Sequence, residues 1–220
     1  MDRPELAIVI PALNEAATIG PVVKAATAFG QVFVVDDGSG DGTGDVARAA
    51  GAVVVRHETS CGYEASLGDG CAAASESGAK AVVTMDADGE HDPALLGEFR
   101  RLLIDEDVPL VLGVRPRRQR IAESIMGLLF RWRYGVSDAL CGMKGYHLDL
   151  YRRNGGFDHV GGVGTELAVQ SIRRGTRFHE IPVSGNRRVD RPRFGKALQS
   201  NLRIVCSLSR VMRLDAAKGQ

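Results

Sequence analysis

Long apolar runs are missing from this 220-residue sequence: none approaches the roughly 18 residues that a bilayer-spanning helix needs. Met1 leads into a charged, strand-like opening instead of a basic-then-apolar signal segment, so a cytoplasmic protein is expected, soluble or peripheral on the inner face of the cell membrane. Cysteine is sparse too. Cys61, Cys71, Cys141 and Cys206 form no C-x-x-C pair and have no histidine at zinc-finger distances, so their spacing suggests neither a disulfide framework nor a zinc site. Two glycine-rich phosphate cradles are also absent. No G-x-G-x-x-G follows the first apolar run, the glycines at 38, 40, 42 and 44 do not fit that spacing, and no G-x-x-x-x-G-K-[ST] occurs. Internal repeats and low-complexity tracts are lacking as well.

The length suffices for one large domain with a real core. Its net charge of +1 conceals a strong asymmetry. Residues 1–110 carry 7 Lys+Arg against 19 Asp+Glu, and residues 111–220 carry 21 against 8, so about −12 is followed by about +13. The first half is suited to a cation, and the second to anions such as phosphate groups or an anionic membrane surface. Nucleic acid is not expected, because the arginines are not interleaved with a recognisable reading module.

Apolar runs alternate with helical patterns along the acidic half. Strands are expected at Leu6 to Ile10, Val32 to Asp36, Ala52 to Arg56, Ala81 to Asp86 and Leu110 to Val114. Helices are expected at Ala16 to Ala28, Thr43 to Ala50, Tyr63 to Glu76 and Pro93 to Ile104. Such alternation means crossover units and a mostly parallel sheet. Three polar loops then fall on one edge of that sheet: Pro11 to Glu15, Asp36 to Thr43, and Asp86-Ala87-Asp88-Gly89-Glu90-His91-Asp92. Ligands bind at that edge in open α/β sheets, and paired acids there repel unless a cation lies between them. Their hard oxygens suit Mg²⁺ or Mn²⁺, which in turn suit a diphosphate. The bland reading makes Asp86 a loop acid and Asp92 a cap for the helix begun by Pro93.

The combination Val9-Ile10-Pro11-Ala12-Leu13-Asn14-Glu15, Val34-Val35-Asp36-Asp37-Gly38-Ser39 with Asp41-Gly42-Thr43, and Met85-Asp86-Ala87-Asp88 with His91-Asp92-Pro93 resembles the family-2 glycosyltransferases. Within them it looks most like the branch that transfers mannose or glucose to polyprenyl (dolichyl) phosphate. The resemblance implies an α/β GT-A fold, a three-layer sandwich about a mostly parallel sheet. It also implies a nucleotide-diphospho-sugar donor carrying UDP or GDP, a divalent metal and an inverting transfer. Carried across, Pro11, Leu13 and Glu15 line the nucleoside pocket, Asp37 hydrogen-bonds the base, and Asp86 and Asp88 hold metal and diphosphate. Glu90 stands where the branch usually has Gln and joins the expected metal ligands; the run Gly62 to Gly70 lacks the lysine of the usual Gly-Lys-Gly-x-Ala segment.

In the basic half, Arg115 with Arg120 and Ser124 is similar to the branch's cradle for the phosphate of a polyprenyl-phosphate acceptor, a task guanidinium forks suit. Asp138 to Tyr146 resembles its Asp-x-x-Cys-Gly-Phe-Lys segment, with Cys141 a packing residue. Family members commonly carry an acid at Glu166. Residues 186–196 resemble the basic segment that closes over the donor, which gives Arg191 or Arg193 the task of neutralising diphosphate.

Two helices carry an apolar stripe that suits either the core or a membrane surface. Lys196 to Leu214 aligns Leu198, Leu202, Val205, Leu208 and Met212 opposite Lys196, Arg203 and Arg210, and Ile121 to Tyr134 sets Ile125, Leu128, Leu129, Phe130 and Trp132 among arginines. The expected organisation is a glycosyltransferase domain over residues 1–195, divided into a nucleotide-sugar half (1–115) and an acceptor half (116–195), then a C-terminal amphipathic helix and tail (196–220). A phosphate acceptor needs no general base. A sugar hydroxyl in surface-polysaccharide assembly, the alternative acceptor, would need one, and Asp138 or Glu166 is then the candidate.

Overall fold

The structure is a computed structural model that describes residues 4–116, 121–157 and 165–183, with backbone alone for 121–126. Seven strands form one sheet: β1 (Leu6–Ala12), β2 (Gln31–Asp36), β3 (Val53–Arg56), β4 (Ala81–Thr84), β5 (Leu110–Val114), β6 (Lys144–His147) and β7 (His179–Pro182). The helices are α1 (Ile19–Ala26), α2 (Thr43–Ala49), α3 (Tyr63–Glu76), α4 (Leu95–Arg100), α5 (Ile121–Tyr134), α6 (Leu148–Asn154) and α7 (Glu166–Arg173), and a π-helical turn, Arg101–Asp105, continues α4.

Strand order is β3-β2-β1-β4-β6-β5-β7. All neighbours run parallel except β6, which lies antiparallel between β4 and β5. The expected mostly parallel sheet is therefore present with one reversed strand. Period-two alternation along the strands separates two cores and makes three layers. Leu6, Ile8 and Ile10 of β1 and Val32 and Val34 of β2 pack with Ile19, Val22 and Val23 of α1 and with Leu96 and Phe99 of α4. Ala7, Val9, Phe33, Val82 and Tyr146 face the other way, onto Leu67 and Cys71 of α3, Phe130 of α5 and Leu167 of α7. Helix α3 lies close on β1: a Cβ on Gly70 would stand 2.3 Å from Val9 Cγ1. The donor and acceptor halves expected to divide at residue 115 thus share one sheet and one pair of cores.

Pro11 was expected to end the first strand, yet β1 continues through it to Ala12, in register with Val35 and Asp36. The geometry explains the tolerance. Val9 accepts from Met85 N on the β4 side and Ala12 accepts from Asp37 N on the β2 side, so Pro11 turns its missing N–H toward β4. Pairing of β1 with β4 has already stopped at Val9↔Thr84, so no ladder bond is lost.

Candidate active site

The order reverses at β1, whose neighbours are β2 and β4, and ligands of open α/β sheets bind outside the carboxyl ends of strands at such a switch point. All three polar loops expected from the sequence meet there.

The first two are tied together. Asn14 N donates to Ser39 Oγ at 2.8 Å, and Gly40 N returns a bond to Asn14 Oδ1 at 3.0 Å. Glu15 N donates to Thr43 Oγ1 at 2.8 Å and Ala16 N to Asp41 Oδ2 at 3.1 Å. Asn14 holds a positive φ of 50°, a conformation that its local polar bonding makes accessible. Pro11, Leu13 and Glu15, the expected nucleoside-pocket residues, are half-buried along this seam. Beneath it, Asp36 is wholly buried, accepting from Ser39 N at 3.0 Å and from Arg56 Nη1 at 3.1 Å. Gly44 makes the fit possible, since a Cβ there would meet Asp36 Oδ2 at 2.5 Å.

Asp37, expected to read the base, makes four bonds inside the protein. His57 Nδ1 and Cys61 N reach Oδ1 at 2.7 Å each, while Ser60 Oγ reaches Oδ2 at 2.7 Å and Gly62 N reaches it at 3.0 Å. Burial pushes this carboxyl up, but the bonds from His57, Ser60, Cys61 and Gly62 outweigh it and hold Asp37 below the usual carboxylate range. The other ring nitrogen of His57 contacts Asp69 Oδ2 at 2.9 Å. Bonding to Asp37 raises the His57 pKa above the ordinary histidine value, against a smaller opposing effect of burial and with help from Asp69. Asp37 thus anchors the segment leading to α3. His57, Ser60 and Asp69 were not anticipated as members of this site; the His-x-x-x-Cys spacing of His57 and Cys61 was their one local signal.

The third loop follows β4. Asp86 accepts from Tyr63 Oη at 3.2 Å, and its backbone N–H donates to His91 Nδ1 at 3.3 Å. Gly142 backs it so closely that a Cβ would stand 2.4 Å from Asp86 Oδ2. Asp88 is buried and accepts from Glu90 N at 2.9 Å, while Asp92 accepts from Ala94 N at 2.9 Å as α4 begins. Asp92 thus closes the turn that leads into α4, whose own N-cap is Ala94 and carries no side-chain cap, so the helix starts later than the expected Pro93. Asp86, Asp88 and Glu90 are not gathered into a three-ligand cluster. Among the described residues, the group whose ligand atoms converge within 4.8 Å is Asp37, His57 and Cys61. The donor chemistry of the third loop still fits Mg²⁺ or Mn²⁺, which use one or two carboxylates and complete their shell with water and substrate phosphate.

Asp138 is buried and accepts from Arg115 bidentately, Nε to Oδ2 at 2.7 Å and Nη2 to Oδ1 at 3.0 Å. Burial raises the pKa of Asp138, yet the Arg115 hydrogen bonds and charge, with the backbone N–H groups of Arg115 and Leu140, bring it below the usual carboxylate range. Glu166 is buried in the first turn of α7, after Thr165, whose hydroxyl donates to Ala139 O at 3.0 Å. Lys144, the lysine of the segment matched from Asp138, is buried on β6 in register with Thr84. Burial lowers its pKa, and the nearby acids Cys141, Asp138 and Asp86 oppose the shift. Burial likewise lifts the Cys141 thiol to about 11, in keeping with a packing cysteine. Arg120, Arg191, Arg193 and the helix expected over 196–214 lie outside the described residues, and Ser124 is described by its backbone alone.

The face of α5 is split. Phe130 and Tyr134 pack inward, while Leu128 and Trp132 are 68% and 83% exposed, beside Leu129 and the exposed Arg131 and Arg133. No helix among the described residues is long and apolar enough to cross a membrane.

Comparisons with known proteins agree with this architecture. A "Dolichyl-phosphate hexose transferase" of Haloferax volcanii is 28% identical over 220 residues, covering 92% of this chain and 94% of that protein. An "Uncharacterized glycosyltransferase" of Mycobacterium tuberculosis is 31% identical over 189 residues, covering 80% and 83%. In three dimensions the chain is similar to glucosyl-3-phosphoglycerate synthase from M. tuberculosis, solved with Mn²⁺, uridine diphosphate and phosphoglyceric acid, with TM-score 0.74, 21% identity and 98% of this chain on 79% of that one. That likeness establishes a GT-A-like fold. Residues 7–152 match the family described as "Glycosyl transferase family 2", and with the three acidic loops gathered at one sheet edge this enzyme belongs to that family.

Proposed function

We propose that this glycosyltransferase moves a hexose, with inversion, from a UDP- or GDP-sugar to a polyprenyl-phosphate carrier in a metal-dependent reaction. Asp86 and Asp88, with Glu90 beside them, would hold Mg²⁺ or Mn²⁺. The ion, when bound, neutralises charge on the departing nucleoside diphosphate. Pro11, Leu13 and Glu15 line the nucleoside side, and Arg191 or Arg193 adds positive charge at the diphosphate. Arg115, Arg120 and Ser124 receive the acceptor phosphate. Asp37 orders the 57–62 segment around the donor, and reading the base requires one of its four internal bonds to yield.

The observation that carries the acceptor assignment is the Asp138–Arg115 pair. A carboxylate doubly bonded to guanidinium, with its pKa held low, is a poor proton acceptor. A phosphate monoester is already ionised near neutral pH and needs none. The relative named for dolichyl-phosphate hexose transfer, which aligns over 92% of the chain, supports the same reading. The exposed Leu128, Leu129 and Trp132 with Arg131 and Arg133 support peripheral attachment at an anionic membrane surface, where such a carrier resides. The C-terminal stretch 196–220 is proposed as a second amphipathic attachment to the 1–195 domain.

Labelled UDP- and GDP-sugars offered with a short-chain polyprenyl phosphate, with and without Mn²⁺ or Mg²⁺, test the reading. Metal-dependent label in the lipid phase from one donor is the expected result. Turnover into water-soluble product alone would overturn it in favour of a hydroxyl acceptor.

A further inference from the structure

Of the convergent residues Asp37, His57 and Cys61, only Asp37 has a part in the reaction proposed above; the imidazole and the thiol beside it have none. Their ligand atoms lie within 4.8 Å of one another and offer one oxygen, one nitrogen and one sulfur. That donor set differs in kind from the all-carboxylate loop after β4. Hard oxygen ligands select Mg²⁺ or Mn²⁺, whereas imidazole and thiolate select Zn²⁺. A second observation points the same way. The far nitrogen of His57 lies 2.9 Å from Asp69 Oδ2, the carboxylate–histidine arrangement that fixes ring orientation and tautomer behind a metal-bound imidazole. Cys61 is exposed, whereas Cys71 and Cys141 are buried, so Cys61 is the accessible thiol among the described residues.

We propose that Asp37, His57 Nδ1 and Cys61 form a Zn²⁺ site, oriented by Asp69 and open to solvent at its fourth position. On binding, the Nδ1 proton of His57 and the thiol proton of Cys61 leave to solvent while the Nε2 proton stays toward Asp69, and three coordinate bonds, from Asp37, His57 and Cys61, replace the His57–Asp37 hydrogen bond and the contact of Cys61 Sγ with Thr59 O. Metal–ligand bonds of about 2.0–2.3 Å put tetrahedral ligand atoms about 3–4 Å apart, within reach of small side-chain rotations here. The ion braces the 57–62 segment against the end of β2. Two residues past Cys61, Tyr63 touches Asp86, so the brace adjoins the donor acids without sharing a ligand with them.

Cd²⁺ is the probe, read by its ultraviolet thiolate charge-transfer band on the full chain carrying Cys206→Ser, with Zn²⁺ affinity from competition. One equivalent of Cd²⁺ should produce the band. Cys61→Ser should abolish it, Asp69→Asn should weaken Zn²⁺ binding about 10–100-fold, and Asp88→Asn should leave both unchanged. Absence of the band, its persistence in Cys61→Ser, or its loss in Asp88→Asn overturns the site. None of these readings depends on turnover, so they stand apart from the acceptor assignment.

Discussion

Asp138 and Arg115 are joined by two parallel hydrogen bonds, Nε to Oδ2 at 2.7 Å and Nη2 to Oδ1 at 3.0 Å, with 5% of the carboxylate side chain exposed and 21% of the guanidinium side chain. Removing one partner strands the other in a water-poor setting. Asp138→Ala should therefore cost about 3 kcal/mol of stability, measured by denaturant unfolding. Asp138→Asn should raise the KM for lipid phosphate while leaving the pH–rate profile unchanged between pH 6 and 9. Loss of the acid limb, the fall in rate that protonating a base produces at low pH, would identify Asp138 as a general base.

The same pair fixes the sign of an acid effect. The folded pKa of Asp138 lies below its ordinary value of 3.8, so between the two the unfolded chain binds more protons. Its stabilisation is fully present above the unfolded pKa and is lost as pH falls through the folded one. Unfolding midpoints of wild type and Asp138→Asn should converge as the pH is lowered below about 4.

Asp86 is held from both sides, by the Tyr63 hydroxyl and by the absence of a side chain at Gly142. Tyr63→Phe removes a bond and no volume, and Mn²⁺ affinity in the presence of nucleoside diphosphate should fall about tenfold. Gly142→Ala places a methyl 2.4 Å from Asp86 Oδ2 and should weaken Mn²⁺ further in a protein that still folds. Equal Mn²⁺ binding in all three proteins would remove Asp86 from the metal site.

Replacing Asp88 by Asn should lower transfer about 10²–10³-fold, the scale on which one well-placed electrostatic contact acts. Donor binding without metal should persist, as seen by calorimetry with nucleoside diphosphate.

Trp132 is the single tryptophan of the chain and is 83% exposed, so intrinsic emission reports on α5 alone. Anionic vesicles should shift that emission to the blue, neutral vesicles should do so less, and Trp132→Ser should reduce vesicle co-sedimentation. Unchanged emission at every lipid composition would detach α5 from the membrane.

The first five strands were legible because each is a short apolar run ended by turn residues, and their order could be followed from strand–helix alternation. Helix ends were less so. Residues 16–18 read as the start of α1, yet the bonds of Glu15 and Ala16 to the 41–43 loop delay it to Ile19. Strand β6 was not legible: Lys144-Gly145-Tyr146-His147 has neither apolar run nor alternation, and it is a strand because β4 and β5 offer it an edge on each side. The acids of the site were visible as motif residues. Their supports, His57, Asp69 and Tyr63, were not, since each reaches its partner across the fold by a contact that local pattern does not encode. The split face of α5 shows a limit of periodicity too, for the same apolar count serves Phe130 in the core and Trp132 outside it.

Strand β6 also sets the timing of assembly. Its ladder with β4 joins Ala81 to His147, and Thr84 Oγ1 donates to Gly142 O at 2.7 Å across 58 residues of chain. While the polypeptide emerges from a ribosome, β1 to β4 are available long before the segment that flanks β4 and backs Asp86. Until then β4 presents an unpaired apolar edge, the kind of surface on which nascent chains associate wrongly. The wall behind Asp86 thus forms only when β6 closes on β4, and a chain cut before residue 140 keeps its three polar loops but leaves Asp86 without the backing of Gly142.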